Sequence, residues 1–215
     1  MSHFGDYQNI IYFSGLNGVL PKYPVDFATL QTRAEAAMSP SLLNYVQGGC
    51  GDEHTQDVNA SAFRHWGMVP RMLVDTSKRD LSIELFGCKL PSPLFMSPIG
   101  VTGLCTQDGH GDIAAARASA ETGVPLMLST LSNDPLEAVA AETGDTPAFF
   151  QLYTPKTPTS PRAWSSARKR PAHRAIIVTL DTWVTGWLPA RSELRAIFRS
   201  CAATCCRTIS AIRSF

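Results

Sequence analysis

No stretch of the chain approaches the run of roughly 18 apolar residues that a membrane-spanning helix needs, so an integral membrane protein is not expected. The opening residues, MSHFGDYQNI, lack the basic and apolar regions of a secretory leader, which makes a cytoplasmic location the expectation. The six cysteines form no visible disulfide framework and are expected to be reduced thiols. No G-x-G-x-x-G or G-x-x-x-x-G-K phosphate fingerprint follows the first predicted strand, and there is neither an H-E-x-x-H nor a Ser-His-Asp order. Cys201, Cys205 and Cys206 lack the second C-x-x-C or paired histidine that would make them a zinc set. One long segment, KTPTSPRAWSSARKRPAHR (156–174), lacks acidic residues altogether.

That last absence exposes a split in the charge. The chain as a whole is +1, but residues 156–174 carry +6, residues 191–215 carry +4 and the remainder carries −9. Such blocks are most often solvated faces or tails. Here the first block interrupts a repeating pattern, because it lies between two apolar runs, AFFQLY and AIIVTLDTW. Runs of this kind read as strands buried on both faces, and parallel strands need a covering helix between them. The block holds three prolines instead.

What is present elsewhere is regular. Residues 1–65 read as mainly helical, with FATLQTRAEAAM at helical spacing and SPSLLNYVQGG opening on Ser-Pro and closing on Gly48-Gly49. From Pro93 the texture changes. PLFMSPIGV reads as a buried strand ending at Gly100, and DIAAARASAETG as a helix with Asp112 as N-cap and Gly123 past its end. VPLMLSTL is a second strand, and DPLEAVAAETG a second helix with Asp134 as cap and Pro135 at its first position. AFFQLY and AIIVTLDTW are the third and fourth strands. Gly100, Ser129, Gln151 and Thr179 mark the recurrence of these βα units at 22 to 29 residues.

Alternation of this kind indicates a parallel α/β fold, either an open doubly wound sheet or a (β/α)8 barrel. The missing phosphate fingerprint disfavours the open sheet. Each strand ends in small or polar groups: Ser97 to Gly100, Ser129 and Thr130, Gln151 and Tyr153, Thr179 and Asp181. In a barrel these ends meet at the face where active sites are built. A ring of neutral amides and hydroxyls, with close backbone approach at Gly100, suits a flat heteroaromatic cofactor. Asp108, His110 and Asp112 in QDGHGD make a candidate metal loop, beside the plainer reading of a glycine-rich turn before a helix.

Seven segments in order, YVQGGCGDEHT, HWGMVPRML, PLFMSPIGV, QDGHGD, STL, GDTPAFFQLY and VTLDTW, together resemble the FMN-dependent 2-hydroxy-acid oxidases, with the lactate monooxygenase branch the nearest. The resemblance covers about residues 4–155 and 175–189 and implies a TIM barrel with an N-terminal helical segment. It divides the chain into a helical lead-in (1–92), the first half of an FMN-binding barrel (93–190) and an aberrant tail (191–215). It implies FMN as cofactor, a small 2-hydroxy acid such as L-lactate as substrate, O2 as the second substrate and homo-oligomeric full-length relatives. By the same resemblance, the backbone of Pro98, Ile99 and Gly100 lies against the flavin near its reactive nitrogen. Ser129, Gln151 and Thr179 match flavin-edge positions, Tyr153 matches a tyrosine at the substrate carbon, and Tyr45 matches one that binds the substrate carboxylate.

The family continues for about as many residues again. That half carries its proton-abstracting histidine, its carboxylate-clamping arginine, a lysine near the flavin N1 and the phosphate-holding loops. None has a counterpart here, and an inactive half-barrel fragment is the expectation. The two basic blocks read as shifted reading frames. With GC-rich codons, residues 156–172 read from the third base of the first codon give D-A-D-L-A-A-S-L-V-V-R-A-E-A-A-G, a helix with cap, apolar stripe and terminal glycine. Competing expectations are a basic interaction protein that uses 156–174 and 191–215 to bind nucleic acid or an acidic partner, and a natural half-barrel completed by another chain.

Overall fold

The computed structural model describes residues 6–153 and 173–180. Most of the first basic block, all of the second, Asp181 and the three C-terminal cysteines lie outside the described residues.

The N-terminal part is helical, as expected: α1 (Asp6–Leu16), α2 (Phe27–Ala37), α3 (Pro40–Gln47) and α4 (His54–Ala62), followed by a short 3-10 turn at Phe63–His65. Local chemistry sets the ends. Asp26 Oδ1 accepts the Thr29 N–H at 2.8 Å and starts α2. Ser39 Oγ accepts from Leu42 N at 3.3 Å, Pro40 occupies the first turn and Gly48 closes α3. Glu35 joins the two helices, its Oε1 accepting from Gln47 Nε2 at 2.6 Å and Gln31 Nε2 at 3.0 Å. No residue of these four helices is fully buried.

A β-hairpin follows that the sequence reading did not anticipate: β1 (Ile83–Leu85) pairs antiparallel with β2 (Cys88–Leu90). Its two-residue turn, Phe86-Gly87, has φ of 52° and 71°, the doubly left-handed form that matches the twist of a tight hairpin. Cys88 and Leu90 point inward, while Glu84 and Lys89 face each other across the exposed side.

The βα region forms a parallel sheet in the order β3 (Leu126–Leu128), β4 (Ala148–Leu152), β5 (His173–Val178). The expected first strand is reduced to a single parallel bridge between Met96 and Leu126, held by Met96 N to Pro125 O at 2.9 Å and Met127 N to Met96 O at 3.1 Å. Pro93 and Pro98 explain the reduction, since neither has an N–H to give to a ladder. Among the described residues the sheet is open, not a closed barrel.

Helices α5 (Gly111–Thr122) and α6 (Leu136–Glu142) cover one face. Leu126, Leu128, Ala148 and Phe150 meet Ala116 and Val139 there, and the small residues Ala116 and Ala148 are wholly buried where helix approaches sheet. The opposite face of β4 presents Phe149, 1 % exposed, whose ring stands 5.5 Å from Phe95 and 6.3 Å from Phe86 of the hairpin turn. The hairpin thus places an aromatic side chain under the sheet's second face.

Two expected caps are corrected. α5 begins after His110 and α6 after Pro135, and neither has a side-chain cap from its own first turn. Asp112 Oδ2 accepts instead from Asn133 N (2.7 Å) and Asp134 N (3.4 Å), while Asp134 Oδ2 accepts from Ile113 N (3.3 Å). The helix starts are side by side, so Asp134 reaches an orphan N–H in the first turn of α5 while Asp112 holds the two N–H groups just ahead of α6. Gly123 closes α5 with φ 69°, as expected.

Candidate functional site

The carboxyl ends of the three strands carry one continuous polar chain. The Ser129 hydroxyl donates to Gln151 Oε1 at 3.3 Å, Thr130 N donates to the same oxygen at 3.1 Å, and Gln151 Nε2 donates to Thr179 Oγ1 at 2.6 Å. A backbone N–H can only donate, so Thr130 fixes which end of the Gln151 amide is oxygen and turns the nitrogen toward Thr179. Ser129 and Gln151 are 4 % and 3 % exposed, which makes this a buried network in which direction is defined.

Strand alternation puts Gln151 on the same face as Phe149, away from the helices. Tyr153 is two residues further on and half-buried, its N–H donating to Thr130 Oγ1 at 3.1 Å. Thr130 Oγ1 in turn donates to the Gln151 carbonyl at 2.5 Å. Thr130 was noted in the sequence only as a strand-end residue. Its hydroxyl bonds the backbone of β4 at two points, a role that sequence spacing does not reveal.

Of the residues named from the sequence, Ser129, Gln151 and Thr179 are therefore brought together, with Tyr153 beside them. Tyr45 lies half-buried on α3, and the polar chain is built without it. Pro98 and Gly100 are half-buried and Ile99 is 63 % exposed. Gly100 has a packing requirement of its own: a Cβ there would stand 2.9 Å from Leu131 Cβ and 3.5 Å from Ser129 Oγ. The close approach expected at this glycine is made, on its Cβ side, by the next loop.

A hollow of about 400 Å³ opens between the Met96–Thr102 segment, α5 and β3. It reaches Ser97, Ile99 and Ser129 at the strand ends, but Leu126, Leu128 and Val139 of the helix-facing layer also line it and neither Gln151 nor Thr179 does. Thr102 Oγ1 is buried beside it with no hydrogen-bond partner among the described residues.

Asp108, His110 and Asp112 do not converge. Asp108 Oδ1 accepts from His110 N at 3.0 Å, and that bond holds its carboxyl below the usual range. His110 Nδ1 lies 2.6 Å from Asp134 Oδ1, and this hydrogen bond, with the carboxylate's charge, raises the imidazole pKa. Asp112 faces the Asn133 backbone. Among the described residues no three His, Cys, Asp or Glu side chains are placed to hold a metal ion, and no helix is long and apolar enough to cross a membrane.

Among the described residues, one N–H of Gln151 and the O–H of Thr179 remain unspent on the polar chain. Neutral donors at the rim of a buried polar network fit the carbonyl and nitrogen edge of a flat heteroaromatic ring such as a flavin.

The similarities agree with that chemistry. The family model described as FMN-dependent dehydrogenase matches residues 34–210. An FMN-dependent alpha-hydroxy acid dehydrogenase of Penicillium citrinum is 34% identical over 188 residues, which is 87% of this chain and 46% of that protein. An L-lactate oxidase of Lysinibacillus sphaericus is 33% identical over 165 residues, 77% of this chain and 42% of its own length. Among solved structures, a Pediococcus acidilactici protein described as a lactate oxidase superposes with a TM-score of 0.71 at 29% identity, covering 85% of this chain and 53% of that one. A soluble mutant of the membrane-associated (S)-mandelate dehydrogenase of Pseudomonas putida gives 0.67 at 30%, covering 75% and 45%. The chain spans about half the length of the curated relatives it matches. With most of its residues inside one family model, the chain belongs to the FMN-dependent dehydrogenases, whose cofactor is FMN.

Proposed function

We propose that the chain carries the first four βα units of a (β/α)8 barrel whose complete form oxidises a small 2-hydroxy acid with FMN. The proposed substrate is L-lactate, and the proposed outcome is of the monooxygenase type, in which the keto acid is retained until it is decarboxylated. The observation that carries this reading is the Ser129–Gln151–Thr179 chain at three successive strand ends of a protein in this family. In the proposed division, residues 1–92 lead into the barrel and residues 93–190 form its first half.

Bound FMN would supply the two-electron acceptor for the substrate α-carbon and return the electrons to O2. The residues of this chain hold and orient. Gln151 and Thr179 offer their unspent donors to the edge of the ring, and Ser129 and Thr130 fix the amide that makes the offer. Pro98 to Gly100 border the ring, while Tyr153 and Tyr45 meet the substrate. The proposed base, carboxylate clamp and phosphate site belong to the portion of the relatives that these 215 residues do not span. The 215-residue polypeptide alone is therefore proposed to be inactive.

Two measurements test this. The purified chain should carry no yellow flavin and turn over no lactate; stoichiometric FMN or measurable turnover would overturn the inactivity. FMN added in large excess should shift the side-chain amide resonances of Gln151 in proton–nitrogen NMR spectra. A Gln151 signal indifferent to FMN would overturn the site.

A further inference from the structure

We infer that Asp112 and Asn133 are positioning residues for the Gln151 amide, acting through the loop that follows β3. The inference rests on the reading above that this amide meets the edge of the flavin. Asp112 is a buried carboxylate, 8 % exposed, whose hydrogen bonds among the described residues go to Asn133 N and Asp134 N and not to the strand-end groups. Burying a carboxylate where neutral acceptors would serve two N–H groups carries a desolvation cost, and what it gains is shorter, stiffer, charge-assisted bonds.

Those bonds clamp Asn133 from both sides. Its backbone N–H donates to Asp112 Oδ2 at 2.7 Å, and its side-chain Oδ1 accepts from Gly103 N at 3.2 Å. The loop after β3 is thus tied to α5 and to the segment after the first strand by one residue. The second tie is close: a Cβ on Gly103 would stand 3.1 Å from Asn133 Cγ and 2.5 Å from the Gly109 carbonyl.

Within the loop the constraint passes to the site. Leu131 O accepts from Val101 N at 2.9 Å, and Leu131 N donates to Ser129 Oγ at 3.1 Å. Ser132 N donates to Ser129 O at 3.2 Å, and Ser132 Oγ donates to Asp134 O at 3.0 Å. With one lone pair of Ser129 Oγ taken by Leu131 N, the hydroxyl proton is directed at Gln151 Oε1. Asp112 therefore steadies Ser129, and through it the Gln151 amide whose sense the Thr130 N–H fixes, by way of the single loop after β3.

The test uses the full 215-residue chain and the Gln151 side-chain amide pair as a spectroscopic signature. Asp112→Ala should speed amide exchange at Asn133 and Asp134 by about tenfold or more and should also displace the Gln151 pair. Asp112→Asn retains an acceptor oxygen and should return the pair toward its original position. Should Asp112→Ala fail to fold, Asn133→Ala severs the tie to Gly103 alone, leaves the Asp112 bonds intact and should move the same pair. Faster exchange at Asn133 and Asp134 with an unmoved Gln151 pair would reduce Asp112 to a local fold contact and overturn the inference. The flavin reading fails separately, by indifference of the wild-type Gln151 pair to FMN.

Discussion

Asp112 and Asp134 each serve the start of the other's helix: Asp134 accepts from Ile113 N in α5, and Asp112 accepts from the two backbone N–H groups just ahead of α6. The exchange adds to the Arg117–Glu142 ion pair and the apolar contacts through which the two helices also meet. Asp134→Ala leaves the Ile113 N–H without its acceptor and is expected to cost about 1–3 kcal/mol. Urea midpoints of wild type and variant measure it, and a loss within experimental error would show the exchanged bonds to be dispensable.

The pair of His110 with Asp134 makes part of that stability depend on pH. The hydrogen bond that His110 donates to Asp134, and then the carboxylate's charge, raise the His110 pKa; Asp108 adds to the rise, while desolvation and Arg117 oppose it. A group whose folded pKa is raised contributes stability that is fully present below its ordinary value and lost as pH rises through the raised one. His110→Gln should thus be less stable than wild type in mildly acidic buffer, and the difference should fade toward alkaline pH. A gap that widens with pH would contradict the assignment.

Gly100→Ala tests the packing of the two loops. The new methyl would press on Leu131 Cβ at 2.9 Å and on Cδ1 at 3.3 Å, and a cost of about 1–3 kcal/mol is expected. Adding Leu131→Ala should recover only part of it, because the tighter contact is with Cβ, which alanine keeps. Full recovery would place the clash elsewhere on the leucine.

Thr179→Val removes the acceptor of the 2.6 Å bond from Gln151 Nε2. A buried amide N–H left unpaired should cost about 1–3 kcal/mol and broaden the Gln151 side-chain resonances. Calorimetry and the same NMR spectra report both, and an unchanged melting temperature would argue that β5 does not hold the amide.

For the basic blocks at 156–174 and 191–215, the shifted-frame proposal is decided by chemistry alone. Resequencing the gene is expected to find an inserted or deleted base near each block. Peptide masses that match the present sequence through both would refute it.

The legible parts of this fold are those specified by residues near one another in sequence. Ser39 with Pro40, Gly48 and Gly123 punctuate helices through bonds within the adjoining turn, and each stood where its chemistry indicated. The β4 run AFFQL was readable because both of its faces are buried. The apolar composition of residues 93–101 indicates a full strand, but its two prolines limit the pairing to one bridge. The Ile83–Leu90 hairpin escaped notice despite alternating Cys88, Lys89 and Leu90, because Phe-Gly is an unusual turn pair and a three-residue strand carries little periodicity. The exchanged caps were illegible in principle: Asp112 and Asp134 are each followed by a helix, and only the tertiary arrangement decides whose N–H groups lie nearer. At the site, Ser129, Gln151 and Thr179 were visible as strand ends, but the order in which they bond depends on how the strands align.

That alignment makes β4 a matter of odd and even. Its odd-numbered members, Phe149 and Gln151, supply an aromatic floor and a polar rim to one side, and its even-numbered members, Ala148 and Phe150, supply the contact with α5 and α6. One residue gained or lost within the strand would trade the two sets at a stroke, setting Gln151 among the helices and Phe150 at the rim. Side-chain substitution can adjust either set alone. A change of length cannot, so β4 has freedom to vary in composition and almost none to vary in count.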